Sequence, residues 1–115
     1  MTAPRLPAAV EVSALIRLAE TSGGFAVVAR TGEPDSGTIL VVTLDNQGFG
    51  HSIGRAFERL PRPDGTRGWS LAKVQDIEKK QEFDAYLSRR ITQDPDLWVV
   101  ELTIADGERF ILNLD

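Results

Sequence analysis

The 115-residue chain contains no cysteine and one histidine. The first absence removes disulfides, thiolate catalysis and zinc–thiolate sites, and it fits a reducing compartment. The second leaves a zinc ion almost no ligands. A serine–histidine–acid triad would have to use His51, yet the adjacent Ser52 points to the opposite face of the strand that both occupy. His51 is therefore read as a half-buried strand residue. Long apolar runs are missing too: no uncharged stretch approaches the length of a membrane span, and Met1 to Pro7 lacks the apolar segment of a signal peptide. The expectation is a cytoplasmic protein with no membrane contact and no cofactor. Internal repeats, linkers and low-complexity segments are also absent, and the length is that of a single domain, 1–115.

Composition is otherwise that of an ordinary globular chain, 42% hydrophobic and 26% charged. The net charge of −4 argues against general binding of nucleic acid. Its distribution is uneven. Between His51 and Val74 five cations (Arg55, Arg59, Arg62, Arg67 and Lys73) outnumber Glu58 and Asp64, a net of +3 that leaves the remainder at −7. Such a segment reads either as a solvated arginine-rich loop or as a contact for a second subunit or a small anion.

The chain is organised around Arg89 to Leu102. Pro95 pushes Asp94 out of the helical region, so a helix must end there. From Leu97 the β-branched and aromatic residues predict a strand, the most apolar in the sequence. A first helix is expected over Leu6 to Thr21, ended by Ser22-Gly23-Gly24. Only Ser13, Arg17 and Glu20 form a polar face on it, leaving an apolar arc wider than one layer covers. Phe25 to Arg30 is apolar on both faces and is expected as a central strand. After the turn Thr31 to Gly37 come a strand, Thr38 to Leu44, the turn Asp45 to Gly48, and a strand Phe49 to Phe57. The last alternates large residues with Gly50, Ser52, Gly54 and Ala56, a small-residue face suited to lie beneath a helix. Glu58 to Gly68 reads as the longest irregular stretch, and Trp69 to Val74 as a short strand. A second helix runs from the cap at Asp76 to Gln93, with Phe83, Tyr86, Leu87 and Ile91 as its stripe.

Leu97 to Leu114 reads as a closing hairpin. A three-residue loop, Ala105-Asp106-Gly107, would pair Leu102 with Phe110, Val100 with Leu112 and Trp98 with Leu114, with Gly107 left-handed. The resulting fold class is α+β: one antiparallel sheet of five to six strands with two helices packed on it.

Asp94-Pro95-Asp96-Leu97-Trp98-Val99-Val100-Glu101 resembles a bacterial family, domain of unknown function 1491, found mainly in alphaproteobacteria. The resemblance extends to Phe25 to Arg30, to Gly32 to Gly37 and the strand after it, and to Asp84 to Leu87. It is least marked from Phe49 to Val74. It implies a bacterial cytoplasmic protein and no catalytic residues.

The residues themselves offer one polar candidate. Asp94, Asp96 and Glu101 could hold Mg²⁺ or act as acid and base, but an aspartate before proline at such a turn ordinarily bonds backbone N–H groups. Counting about 100° per residue from Phe83 places Arg90 and Asp94 on the apolar face of the second helix and Arg89 outside it. Arg90 is thus expected to be mostly buried on Asp94 or another carboxylate. Arg30, Arg90, Asp94, Asp96 and Trp98 are the candidate ligand-binding residues. The function read from the sequence is a non-enzymatic module that forms a homodimer or binds a protein partner. The alternative is a binding protein or enzyme for a small anion.

Overall fold

The computed structural model describes residues 6–46 and 52–114. His51 and the turn residues Gln47 and Gly48 lie outside the described residues. Five strands form one sheet: β1 (Phe25–Arg30), β2 (Ile39–Asn46), β3 (Ser52–Pro61), β4 (Arg67–Val74) and β5 (Trp98–Thr103). Three α-helices accompany them: α1 (Ala8–Thr21), α2 (Lys80–Gln93) and α3 (Gly107–Leu112). The strand order is β1-β5-β2-β3-β4.

The last strand in sequence is therefore inserted beside the first two. β5 pairs antiparallel with β1 and parallel with β2. After α2 the chain re-enters the middle of the sheet, and the parallel pair follows from that crossover. Flanked on both edges, β5 is buried on both faces from Trp98 to Val100, as the apolar run from Leu97 requires, and Glu101 alone on it is exposed. Trp98, Val100 and Leu102 join a core with α1, α3, Ile39, Val41, Phe57 and Trp69. Leu97 and Val99 join a second core on the other face with Leu40, Val42, Ala56 and Phe83.

The small-residue face of β3 meets α2 as its pattern demands. A Cβ added to Gly54 would lie 3.1 Å from the Phe83 ring, and Ala56 is wholly buried beside it. Larger side chains would hold the helix away from the sheet.

Four expectations are corrected. The α+β class holds, but the sheet, mostly antiparallel, contains one parallel pair, β2 with β5, and helices pack on both of its faces. β1 is an edge strand, not a central one: its residues alternate between exposed and half-buried because α1 covers one face only. The stretch Glu58 to Gly68 is largely a hairpin. β3 continues to Pro61, a strand end where proline is tolerated, and the turn closes with Gly65 at φ 86° and Arg62 N–H donating to the Thr66 carbonyl at 2.8 Å.

The fourth correction is the closing hairpin, which does not exist. Both neighbours of β5 are already taken, so no edge is left to pair. Ile111, which the strand pairing turned away from the core, is fully buried, while Leu112 is exposed. Phe110, Ile111 and Leu114 follow a helical repeat, and a short apolar run does not distinguish the two periods. Asp106 takes the left-handed conformation, φ 53°, and Gly107 begins the helix.

Among the described residues no helix is long and apolar enough to cross a membrane.

Candidate functional site

The five candidate residues do not form one site. Arg30, Asp96 and Trp98 belong to a backbone clasp. The Trp98 indole N–H donates to the Glu33 carbonyl at 2.8 Å, the Glu33 N–H donates to the Asp96 carbonyl at 3.0 Å, and Arg30 Nη2 donates to the Pro95 carbonyl at 2.9 Å. The clasp leaves no room: a Cβ on Gly32 or Gly37 would overlap the Asp96 carbonyl. Its other end receives the helix N-terminus, with Ala8 and Ala9 N–H donating to the carbonyls of Asp35 and Pro34. Glu33 closes the turn by accepting from the N–H groups of Asp35 and Ser36. Those bonds, the Ser36 amide first, hold its carboxyl below the ordinary range. The segment from Thr31 to Gly37 thus ties α1 to the start of β5.

Asp94 ends α2 in an extended conformation and accepts the Asp96 N–H on its own carboxylate at 3.1 Å. That is local turn chemistry. Among the described residues no group of three histidines or carboxylates is placed to hold a metal, and Asp94, Asp96 and Glu101 form none.

Arg90 lies on the other face of the sheet from the Trp98 ring and binds Glu58. Nε donates to Oε2 at 3.0 Å and Nη2 to Oε1 at 2.5 Å, while the Tyr86 hydroxyl donates to Oε2 at 2.9 Å. Glu58 is only 7% exposed. Burial alone would raise its pKa, but the bonds from Arg90 and Tyr86, with the arginine charge, outweigh it and hold the carboxyl below 4.5. Tyr86 is pushed up to about 12, first by burial and then by its bond to Glu58. The bonds to Glu58 also raise the Arg90 pKa. Arg89 is exposed, as expected from its helix angle. Glu58 on β3 accepts three bonds from two residues of α2, so the triad anchors α2 to the sheet. Sequence reasoning misses Glu58 because the irregular stretch expected over Glu58 to Gly68 hides its place on β3. Extending the small-residue face by two steps, from Gly54 and Ala56 to position 58, would have placed it under α2.

Two surface features remain. On the face that carries α1, a groove of about 160 Å³ is lined by Leu6, Leu15, Leu18, Ile39, Trp69 and Leu114. At its rim Arg59 lies 4.7 Å from the Trp69 ring centroid, and its Nη2 meets Glu11 at 2.6 Å. On the opposite face α2 stops short of β1, leaving Phe25 and Val27 55% and 52% exposed. An open hollow of about 370 Å³ adjoins Phe25, floored by Leu44, Thr103 and Ile104.

A family model described as "Protein of unknown function (DUF1491)" matches residues 6–112. The chain belongs to the DUF1491 family. A DUF1491 family protein from Caulobacter crescentus, known from a crystal structure, is 38% identical, with 90% of this chain and 92% of that chain covered and a TM-score of 0.73. An NMR structure of a DUF1491 family protein from the same organism gives 38% identity, 95% and 94% coverage and a TM-score of 0.74. The solution structure of a protein from A. tumefaciens is 29% identical, with 90% and 89% covered and a TM-score of 0.70. No curated protein matches. The relatives establish the DUF1491 fold over nearly the whole chain and bring no activity with them.

Proposed function

We propose that this DUF1491 protein is a non-enzymatic association module whose first occupant is a second copy of itself, joined through β1. The observation that carries the reading is the chemistry of that edge. Sheet edges are ordinarily protected by charge, proline or a covering element. From Phe25 to Ala29 the edge strand has no charge and no proline, its pairing with β5 is regular up to a bulge between Val28 and Arg30, and Phe25 and Val27 stand uncovered on its outer face. The other edge, β4, carries Arg67 and Lys73.

An antiparallel pairing about a two-fold axis through Val27 keeps corresponding faces together. It sets Val27 against its own copy and Phe25 against the partner's Ala29, large against small. The two Glu101 carboxylates, on the strands behind, would lie three strand spacings apart, about 14 Å. That exceeds the Debye length of about 8 Å in physiological salt, so they oppose the contact little. One short strand per subunit is a small interface, so the dimer should exchange with monomer in the micromolar range.

Light scattering over a concentration series tests the reading. Mass should rise toward the dimer between about 10 µM and about 1 mM. Val27→Lys should hold the protein monomeric with its fold intact, because the position is exposed in the monomer. A wild-type protein that stays monomeric throughout, or a Val27→Lys variant that dimerises equally well, overturns it.

A further inference from the structure

We propose that the groove between α1 and the Trp69 face is a binding site for a small apolar carboxylic acid, one aromatic ring or a short alkyl chain ending in a carboxylate. The argument starts from Arg59. Its guanidinium is held over the Trp69 ring at 4.7 Å, which fixes the plane of its donors. It already engages a carboxylate, since Nη2 meets Glu11 Oε2 at 2.6 Å. That contact marks where a carboxylate is accepted.

The remaining lining decides what else the occupant must be. Leu6, Leu15, Leu18, Ile39 and Leu114 offer no polar partner, and Leu6 and Leu18 are largely exposed at the mouth. An apolar body gains by covering them. A volume of about 160 Å³ admits roughly one six-membered ring. A cationic ligand is disfavoured because Arg59 already occupies the Trp69 face, and a phosphate ester would leave most of the apolar wall unmet.

Exchange requires Glu11 to yield. The pair is partly buried, 31% and 14% exposed for the two side chains, so the ligand carboxylate must replace the Glu11 contact in full. Glu11 also lies in the first turn of α1, where the helix dipole stabilises its charge after release. The ligand carboxylate then takes its place on Arg59.

The test uses phenylacetate, octanoate, phenylacetamide and benzylamine, each titrated into the full chain and followed by two-dimensional ¹⁵N NMR. The Trp69 indole signal should shift saturably with both acids, while Trp98, whose indole N–H is held by the Glu33 carbonyl, should stay still. Phenylacetamide should bind about tenfold more weakly than phenylacetate, and benzylamine should not bind at millimolar concentration. Arg59→Gln should erase the preference for acid over amide. Glu11→Gln should strengthen acid binding about threefold or more by removing the competing carboxylate. Ala14→Phe, at an exposed helix position on the groove, should block every probe. If Arg59→Gln fails to fold, the Glu11 and Ala14 variants decide. Absence of a saturable Trp69 shift up to about 20 mM acid, equal affinity for acid and amide, or a Glu11→Gln variant that binds acid no better each overturns the proposal. Dimerisation through β1 is read by mass on a different face, so either idea can fail alone.

Discussion

Glu58 is nearly sealed from water, so its charge depends on two residues of α2. Arg90→Ala would leave that carboxylate with the Tyr86 hydroxyl alone and should destabilise by about 2–4 kcal/mol. Arg89→Ala, at an exposed position, should cost well under about 1 kcal/mol. Tyr86→Phe removes one donor and leaves both arginine contacts, for roughly 1 kcal/mol. Urea unfolding of the three variants checks the order, and equal small losses for Arg90 and Arg89 would remove the triad from the account of stability. The same network sets a pH dependence. Because the folded carboxyl titrates below its ordinary value of 4.5, its contribution is complete above that value and is lost as pH falls through the folded one. Tyr86 acts at the other limit: its folded pKa of about 12 exceeds the ordinary 10, so stability should fall as pH rises from 10 to 12. Glu58→Gln should flatten the acid limb, and unfolding curves at stepped pH read the difference. Arg90 was legible in advance because a helix angle needs only the sequence. Its partner was not, since the carboxylate comes from a strand 32 residues earlier and no local rule encodes which strand lies beneath α2.

At the scale of elements, legibility follows the length of the pattern. α1 and α2 repeat their apolar positions over several turns, and β3 repeats its small face, so period and facing could be read together. The six residues of α3 are too short for that. Phe110, Leu112 and Leu114 alternate like a strand, and Phe110, Ile111 and Leu114 recur like a helix. Only the filled flanks of β5 decide between them. The decision has a measurable consequence: Ile111→Ala should cost about 2–5 kcal/mol, and Leu112→Ala well under about 1. A hairpin would reverse that order. The α2–sheet contact has its own test. Ala56→Leu adds volume where α2 already touches the strand and should destabilise by about 1–3 kcal/mol without altering α1. Chemical shifts confined to α2 and its strands would locate the strain there.

For the whole molecule, the order β1-β5-β2-β3-β4 leaves two edges of different character. That order was out of reach of sequence reading because it depends on where the chain re-enters after α2. With β1 taken as central, the unprotected edge could not be seen. Its asymmetry with β4 bears on how copies would assemble. Head-to-tail joining of β1 to β4 would propagate without closing, whereas β1 on β1 closes at two. Arg67 and Lys73 on β4 disfavour the open arrangement, and the uncharged run from Phe25 to Ala29 on β1 leaves the closed one available. The register can be tested apart from the fact of association. In a two-fold pairing through Val27 each Phe25 faces the partner's Ala29, so each pair occurs twice. Phe25→Ala should weaken the dimer about tenfold by losing both aromatic contacts, and Ala29→Phe, which sets ring against ring, should leave it within about threefold of wild type. The double variant restores large against small with the residues exchanged, and its dimer should return to within about threefold of wild type. Sedimentation of the four proteins at matched concentrations reads the cycle. Additive losses in the double variant would show that Phe25 and Ala29 never meet across the axis, and the pairing through Val27 would have to be abandoned.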